Sequence, residues 1–337
     1  MTAVAIDFGT SNTVVSILDP ITQQPITLKF DGISRRFGST EISVVPSLVF
    51  VQGENKLVFG DNVRSQRLGF AQPERYFQAF KRELVAEYQP PPRQIDGQIY
   101  SADLVSELFL KQIWQQLAQQ KVEPSRVIFT VPVGAFERYL DWFRDVAERL
   151  NIPDVQLVDE STAAALGYAV KLSGSLILVV DFGGGTLDLS LVRTGDGSKA
   201  QNVLKAEVLA KSDAYVGGVD IDTWIVEHYL QQINSSRAEV KEIGWINLLE
   251  LAERLKIKLS TANEATESWF DDKSFIAHDL KLNRDEFAEI LESRQLLDQV
   301  RQSLDEVLAI ALAKGINKAD IKYVLLVGGS CLLPPVQ

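Results

Sequence analysis

Two segments of the chain share one pattern of apolar and polar positions. Residues 4–15 and residues 178–191 each begin with an apolar run typical of a buried strand, and each ends in a second such run. Between the runs lie Asp-Phe-Gly and a short turn that carries glycine and hydroxyl groups. Two strands joined by so short a turn predict a β-hairpin. We therefore expect two matching hairpins, called here the first and the second hairpin.

Strand-like and helix-like segments alternate along the rest of the chain. Helical spacing of apolar residues is clear at 101–120, where Ser101 is the predicted N-cap. A polar, proline-bearing stretch at 89–93 predicts a surface loop. The other predicted elements are strands at 27–30, 44–51, 127–132, 155–158 and 323–327, and helices at 135–150 and from residue 159 onward. This alternation indicates an α/β fold, and the duplicated hairpin favours two related lobes over a single sheet.

The turns of the hairpins carry the candidate chemistry. Glycine lets backbone N–H groups approach a ligand closely, and successive N–H groups at a turn suit an anion. An aspartate beside such a turn repels phosphate unless a cation lies between them. The hairpins therefore predict two half-sites for a polyphosphate and its Mg²⁺, whereas a pair of ordinary tight turns is the alternative. A Rossmann fold fits less well, because both turns continue as strand and lack Gly-x-Gly-x-x-Gly before a helix.

Composition argues against several other classes of function. The net charge of −11 over 337 residues disfavours broad electrostatic binding to nucleic acid or to an anionic membrane. Cys331 is the only cysteine, and His228 and His278 are the only histidines, which disfavours a disulfide, a cysteine or histidine metal site and a Ser-His-Asp triad. The sequence shows no signal peptide and no apolar run of about 20 residues, so we expect a soluble, cytoplasmic protein.

Six further segments narrow the interpretation. They are Phe80-Lys81-Arg82, Thr130-Val131-Pro132, residues 159–165 (DESTAAA), residues 216–222 (VGGVDID), residues 251–260 (LAERLKIKLS) and Val327-Gly328-Gly329-Ser330. With the two hairpins, they resemble the nucleotide-binding domain of the seventy-kilodalton heat-shock (DnaK-type) chaperones, within the actin and sugar-kinase superfamily. The resemblance covers essentially the whole chain. It implies an actin-like ATPase fold, with ribonuclease H-like duplicated domains forming two lobes around a nucleotide cleft, and it implies ATP or ADP and Mg²⁺ as ligands.

The resemblance also implies domain boundaries. Lobe I would be residues 1–173, with a core at 1–37 and 104–173 and an insertion at 38–103. Lobe II would be residues 174–337, with a core at 174–216 and 295–337 and a helical insertion at 217–294. The family continues beyond the segment that ends here at Gln337, with a linker and a peptide-binding β-sandwich. We therefore expect the peptide-binding domain to be absent from this chain.

Site residues follow from the same resemblance. Lys81 would touch the γ-phosphate or position the attacking water, and Glu160 would orient that water. The implied catalytic residues are Lys81, Glu160, Asp181 and Thr186, and the implied Mg²⁺ residues are Asp7 and Asp181, which hold the ion mainly through water. The implied nucleotide-binding residues are Gly9, Thr10, Ser11, Asn12, Gly183, Gly184, Gly185, Thr186, Gly217, Gly218, Glu253, Lys256, Ser260, Gly328, Gly329 and Ser330. Without the resemblance, Lys81 would be a solvated lysine and Glu253 with Lys256 an ordinary surface pair.

The chain departs from the family at four side chains. Ile257 and Leu332 stand where the family normally has two arginines that sandwich the adenine ring. Aliphatic side chains would then hold the base without a cation–π contribution of about 0.5–2 kcal/mol per contact. Ser161 replaces the usual proline after Glu160, and Leu140 replaces an arginine that relays nucleotide state.

The leading hypothesis is a slow, Mg²⁺-dependent ATPase domain that couples nucleotide state to client protein binding and folding. By resemblance, its partners would be a J-domain cochaperone, a nucleotide exchange factor and unfolded client polypeptides, whose site lies outside this chain. One alternative is a non-hydrolysing, nucleotide-sensing module that binds a partner, which Ile257, Leu332 and Leu140 favour. A second is an actin-like, filament-forming ATPase, which the predicted insertion helices disfavour. A small-molecule kinase of the same fold is a third.

Overall fold

The chain forms two compact α/β units. The computed structural model describes residues 2–38, 40–54, 56–132, 136–169, 174–195, 206–271 and 275–337. The first unit is Met1–Ala163 and the second is Ala164–Gln337. The lobe boundary expected after residue 173 stays a prediction.

The first unit contains a seven-stranded mixed sheet, a three-stranded sheet and a two-stranded ribbon. Its strands are β1 (Ala3–Phe8), β2 (Asn12–Leu18), β3 (Pro25–Thr27), β4 (Arg35–Arg36), β5 (Ser43–Pro46), β6 (Leu48–Gly53), β7 (Lys56–Phe59), β8 (Tyr76–Gln78), β9 (Arg93–Ile95), β10 (Gln98–Tyr100), β11 (Arg126–Val131) and β12 (Val155–Asp159). Its helices are α1 (Asp61–Ser65), α2 (Leu68–Ala71), α3 (Phe80–Val85), α4 (Ala102–Gln119) and α5 (Glu137–Arg149), with a 3₁₀ turn at Pro73–Arg75. The division between the units falls inside α6 (Glu160–Ala169).

Strand order explains where the first unit presents polar groups. The large sheet has the order β12-β11-β1-β2-β5-β4, and β3 pairs with β2. β1 is antiparallel to β2 but parallel to β11, which is in turn parallel to β12. Alternate side chains of β1 are buried, and Phe8 lies in an aromatic cluster with Phe80, Phe109 and Phe143. This core fixes the carboxyl ends of three parallel strands at one edge of the sheet.

The second unit contains a four-stranded sheet with the order β15-β14-β13-β18 and a separate hairpin. Its strands are β13 (Leu176–Phe182), β14 (Leu187–Thr194), β15 (Ala206–Ala214), β16 (Glu264–Asp271), β17 (Ile276–Asn283) and β18 (Tyr323–Val327). Its helices are α7 (Gly218–Gln232), α8 (Glu242–Leu259), α9 (Arg284–Ser293) and α10 (Leu296–Ala313), with 3₁₀ turns at Arg237–Glu239, Lys318–Asp320 and Gly329–Leu332. Leu189, Ile225, Leu255, Phe287 and Val307 belong to one buried core that joins this sheet to all four helices.

Most predicted elements are confirmed. Both hairpins form, the mixed α/β class is correct, and the helix expected at 101–120 is α4, whose N-cap Ser101 accepts a hydrogen bond from the Leu104 N–H at 3.2 Å. The strand expected at 44–51 is wrong as one element, because Ser47 interrupts it and β5 and β6 belong to different sheets. The strand expected at 27–30 is also wrong in its extent, because β3 ends at Thr27. The helix start expected at residue 135 lies outside the described residues.

None of the helices that the structure describes combines the length and the apolar character needed to cross a membrane.

Candidate functional site

The turn of the first hairpin is tied to the segment between β5 and β6. Ser47 Oγ donates a hydrogen bond to the Gly9 carbonyl at 2.8 Å, and the Ser47 N–H donates to the Ser11 carbonyl at 3.0 Å. A Cβ atom at Gly9 would collide with the Asn12 carbonyl, so glycine is required in this turn. Thr10, Ser11 and Asn12 are partly exposed. The turn is thus held in place while its hydroxyl and amide groups remain accessible to a ligand.

Asp7 lies at the carboxyl edge of the first unit's large sheet. Parallel pairing of β1 with β11 sets Ile6 opposite Phe129. The next residues, Asp7 on β1 and Thr130 on β11, are therefore neighbours. Thr130 Oγ1 donates a hydrogen bond to Asp7 Oδ1 at 2.6 Å. Asp7 is exposed, and an ionised carboxylate has lone pairs beyond those that one hydroxyl uses. Those lone pairs can accept hydrogen bonds from the water shell of a hydrated cation.

Lys81 and Glu160 form a buried ion pair in the same unit. Lys81 lies on α3 with its Nζ 2.7 Å from Glu160 Oε1, and Glu160 begins α6 directly after β12. The side chains are only 6% and 16% exposed, so the alternative of a solvated Lys81 is wrong. Breaking a buried pair is strongly destabilising, because it leaves an uncompensated charge. Lys81 can therefore leave Glu160 only for another anion.

The surroundings keep the Lys81 ammonium charged. Burial alone would lower the pKa of Lys81, but the acidic groups around it, first Glu160 and then Tyr139 and Asp7, together raise that pKa above its ordinary value. Burial raises the pKa of the Glu160 carboxyl, Lys81 opposes the rise, and Asp7 adds to it. A fixed cation of this kind can stabilise negative charge that develops on a phosphate.

The turn of the second hairpin packs directly against the start of α7. The Gly183 carbonyl accepts hydrogen bonds from the Gly218 N–H at 3.0 Å and from Ser330 Oγ at 2.9 Å. A Cβ atom at Gly217 would lie 2.5 Å from the backbone of residues 184–185. Since no side chain fits between these two backbone segments, glycine is required at position 217.

Lys256 joins this cluster from α8. Its Nζ donates a hydrogen bond to the Gly218 carbonyl at 2.7 Å and lies 2.7 Å from Asp222 Oδ1. Lys256 is buried, so the alternative of an ordinary surface pair with Glu253 is wrong. Glu253 lies one turn earlier on the same helix and is partly exposed. Lys256 therefore connects α8 to the glycine-rich start of α7.

Asp222 was missed as a site residue, although it belongs to the segment 216–222. Burial raises the pKa of Asp222 to about 7, Lys256 opposes the rise, and Glu253 and Asp220 add to it. The sequence did contain a signal that Asp222 belongs to the site, because Asp222 follows Gly218 by four residues and therefore lies on the same face of α7 as this predicted site residue. Its partner on α8 could be recognised only once the two helices were packed together.

The end of β18 brings backbone close to Asp181. β18 is parallel to β13, and the register sets Val327 opposite Asp181. Gly328 has a φ of +86°, and a Cβ atom there would collide with the Phe182 carbonyl and lie 2.9 Å from Asp181 Oδ1. Asp181 and Thr186 are both partly exposed at this end of the hairpin. Glycine at 328 thus lets the chain pass beside the Asp181 carboxylate.

Two large aliphatic side chains near the cluster are exposed. Ile257 follows Lys256 on α8 and is 55% exposed, and Leu332 is 53% exposed in the 3₁₀ turn after β18. Ser260 directly follows α8, where its Oγ donates a hydrogen bond to the Ile257 carbonyl at 2.6 Å. Both side chains are therefore accessible from solvent.

The predicted site residues thus fall into two groups, one in each unit. The first contains the residues Asp7, Gly9, Thr10, Ser11, Asn12, Lys81 and Glu160. The second contains Asp181, Gly183, Gly184, Gly185, Thr186, Gly217, Gly218, Glu253, Lys256, Ser260, Gly328, Gly329 and Ser330. Among the residues described, no group of three or more His, Cys, Asp and Glu side chains could hold a metal ion directly. The chemical roles of both groups stay predictions.

Comparison with known proteins gives one family. A family model described as Hsp70 protein matches residues 94–337. Similar curated proteins include the chaperone proteins DnaK of Deinococcus proteolyticus (27% identical over 365 aligned positions), Thermotoga neapolitana (27% over 352) and Thermus thermophilus (26% over 375). These alignments cover 99% of this chain and 54–55% of each relative. The chain therefore spans about half the length of the curated relatives it matches.

The close approach at Gly217 can be tested by adding one methyl group. We expect Gly217→Ala to lower the free energy of unfolding by about 1–3 kcal/mol, because the backbone at 184–185 must move. Gly167→Ala is the matched control, since Gly167 lies in α6 and, among the described residues, no atom outside its own stretch of helix lies within 4 Å of the added carbon. This variant should gain up to about 1 kcal/mol. Urea denaturation measures both. Equal stabilities of the two variants would contradict the close packing.

The buried Asp222 predicts a dependence of stability on pH. Its pKa is raised to about 7 in the folded state from an ordinary value of 3.8, so folding retains a proton that the unfolded chain releases in this range. The stability that Asp222 contributes is therefore complete below about pH 4 and is lost as the pH rises to about 7, with a slope on the order of 1 kcal/mol per pH unit. We expect Asp222→Asn to remove this slope in urea denaturation, whereas Asp305→Asn at an exposed site retains it. A wild-type slope in the Asp222 variant would show that another group titrates.

Proposed function

The chain belongs to the Hsp70 protein family, and from this premise we propose that it binds ATP with Mg²⁺ and hydrolyses it slowly, as the nucleotide-binding domain of a DnaK-type chaperone. The observation that carries the proposal is the buried Lys81–Glu160 pair, which keeps a charged ammonium close to Asp7 at the end of β1. A buried cation that can be released only to another anion is well suited to a phosphate.

The first unit would bind phosphate through the turn of the first hairpin. Thr10, Ser11 and Asn12 offer hydroxyl, amide and backbone donors, and Ser47 holds the turn in place. Lys81 would move from Glu160 to the γ-phosphate and neutralise charge during its transfer to water. Most catalysis of phosphoryl transfer is positioning and charge stabilisation, so Glu160 needs only to orient the water.

The second unit would bind the remaining phosphates and the nucleoside. Gly184 and Gly185 would direct backbone N–H groups at phosphate, with Thr186 adding a hydroxyl. The Gly183 N–H donates to the Thr186 carbonyl at 3.1 Å and would hold the turn in shape. Close packing of Gly217 and Gly218 against this turn supports a phosphate-binding surface without side chains. Glu253, Lys256 and Ser260 would contact the ribose and base, and Gly328, Gly329 and Ser330 would pass beside the sugar and the α-phosphate.

Magnesium fits the carboxylates that each unit supplies. Asp7 is exposed and accepts one hydrogen bond from Thr130, and Asp181 lies partly exposed beside Gly328. Mg²⁺ keeps several of its waters and uses one or two carboxylates, so a large cluster of ligands is not required. When bound, the ion would neutralise phosphate charge and orient the phosphate for in-line attack.

The chaperone context extends the proposal beyond this chain. The two units would form the lobes of an actin-like fold around a nucleotide cleft, and nucleotide state would control client binding in a domain outside these residues. A J-domain cochaperone, a nucleotide exchange factor and unfolded clients would be the partners, in the cytoplasm. The similar proteins are named chaperone protein DnaK, which supports the chaperone role of the whole protein, whereas the partners follow from the family resemblance alone.

A second candidate is a module that senses nucleotide without hydrolysing it. The exposed Ile257 and Leu332 favour this candidate, since they offer an adenine ring only dispersion and burial. Binding of nucleotide without turnover would distinguish it from the ATPase.

Hydrolysis is tested with one variant in each unit. We expect the wild-type chain to bind Mg-ADP and Mg-ATP in calorimetric titration and to release phosphate slowly. Lys81→Gln should lower kcat by about 100-fold or more while ADP affinity changes little, because the lost charge acts on the γ-phosphate. Asp181→Asn should lose the part of the affinity that depends on Mg²⁺.

Lys281→Gln, at a 71% exposed lysine, is the control for charge. Unchanged hydrolysis in both test variants would contradict the catalytic assignment, and absent binding would contradict the whole proposal.

The adenine contact is tested by restoring a guanidinium. Ile257→Arg should tighten ADP binding by about two- to thirty-fold, because an arginine can stack on the base with a cation–π contribution. Ile276→Arg adds the same charge at an isoleucine that is 51% exposed on β17, and it measures the general attraction of a cation for nucleotide. Equal gains in affinity by both variants would show that Ile257 does not contact the base.

A further inference from the structure

Tyr139 is a buried tyrosine, and its packing requires the aromatic ring but not the hydroxyl group. It lies on α5, is 1% exposed, and packs edge-on against Phe143 with a centroid distance of 5.0 Å. It belongs to the core that also contains Phe8 and Phe80, the chain neighbours of Asp7 and Lys81. A phenylalanine would fill the same space in this aromatic cluster, so the hydroxyl group needs a separate explanation.

The Tyr139 hydroxyl lies among the charges of the first unit. Within the part of the chain that the structure describes, its oxygen has no hydrogen-bond partner, although it is fully buried. Tyr139 packs against Phe143, which packs edge-on against Phe8 with a centroid distance of 6.4 Å. Lys81 Nζ lies 5.9 Å from the centroid of the Phe8 ring, so the phenol and the ammonium border the same aromatic cluster. Burial raises the pKa of Tyr139, with Lys81 opposing the rise, so the phenol keeps its proton and remains a donor at neutral pH. A buried donor without an acceptor is costly, and such groups are often part of a functional site.

Movement of Lys81 would leave Glu160 in need of the hydrogen-bond donor that Tyr139 can supply. In the proposed function, Lys81 leaves Glu160, at a distance of 2.7 Å, and moves to the γ-phosphate. The Glu160 carboxylate is then a buried charge without its cation, which is unfavourable unless another donor replaces the ammonium. The phenol is a neutral donor, so it can satisfy the carboxylate without competing with phosphate for Lys81.

We propose that Tyr139 is a positioning residue that donates a hydrogen bond to Glu160 when the γ-phosphate of a bound nucleotide takes Lys81. The inference rests on the proposed function and deepens it, because it names the group that makes release of Lys81 possible. The phenol keeps its proton throughout, and the only change is an exchange of hydrogen-bond donors at one carboxylate. Glu160 stays ionised and oriented toward the attacking water.

Tyr139→Phe tests the proposal, because it removes the hydroxyl and keeps the ring. Without nucleotide, the variant should be at least as stable as the wild type in urea, since a buried hydroxyl without a partner has been removed. Affinity for the non-hydrolysable analogue AMP-PNP with Mg²⁺ should fall about ten-fold, the usual effect of one hydrogen bond to a charged group, while Mg-ADP affinity stays within about two-fold. The acidic limb of the kcat–pH profile should move to higher pH, because Glu160 without a donor is protonated more readily.

Tyr100→Phe is the matched control. Tyr100 is also a buried tyrosine of the first unit, but its hydroxyl donates to Gln98 Oε1 at 3.0 Å. This variant should leave the ratio of AMP-PNP to ADP affinity unchanged and should lose stability instead.

Two results would overturn the inference. The first is a wild-type affinity ratio in Tyr139→Phe, and the second is a loss of stability without nucleotide, which would make the hydroxyl structural. Lys81→Gln, measured in parallel, separates this failure from failure of the proposed function. If Lys81→Gln abolishes the preference for AMP-PNP and Tyr139→Phe does not alter it, only the inference fails. If Lys81→Gln also changes nothing, the proposed role of Lys81 fails with it.

Discussion

Parallel pairing of strands is the constraint on which the polar groups of both units depend. In the first unit, β1, β11 and β12 run in the same direction, so Asp7, Thr130 and Glu160 all lie at the carboxyl ends of these strands, on one edge of the sheet. In the second unit, β13 and β18 do the same for Asp181 and Gly328. Alternate residues of β1 and β11 are buried, as are most of the apolar residues of β13, and this burial stabilises the strands. Residues that are far apart in the sequence therefore meet at the ends of strands whose positions the core determines.

Each unit also buries a lysine against a carboxylate. Lys81 pairs with Glu160 in the first unit, and Lys256 pairs with Asp222 in the second, both at 2.7 Å. Such pairs contribute little net stability, because the loss of hydration offsets much of their attraction. Their effect is to hold a cation at a defined place, close to the end of β1 in one unit and against the glycine-rich start of α7 in the other. In the proposed function, a held cation is more useful than a solvated one, because it is already largely desolvated and only exchanges one anion for another when phosphate binds.

Glycine at three positions lets backbone segments approach where a side chain would block them. Gly9 meets the carbonyl of its own turn, Gly217 meets the turn of the second hairpin, and Gly328 meets the end of β13. The consequence is that backbone groups, rather than long flexible side chains, line both turns. Backbone donors fixed by packing lose little freedom when an anion binds, which suits them to recognise phosphate whichever base the nucleotide carries.

The sequence by itself determined the local elements and the family. The apolar runs on either side of each Asp-Phe-Gly predicted both hairpins, helical spacing with Ser101 as a cap predicted α4, and the quoted motifs identified the Hsp70 family that the matching family model shows. These features are local, since strand alternation, capping and turn chemistry act over a few residues. Tertiary structure decided which groups meet. The break at Ser47, the burial of Lys81 against Glu160, the partnership of Asp222 with Lys256 and the hydroxyl of Tyr139 within the core all depend on contacts between distant segments. A pattern of residue types does not specify such contacts, because burial and pairing are set by the register and packing of whole elements.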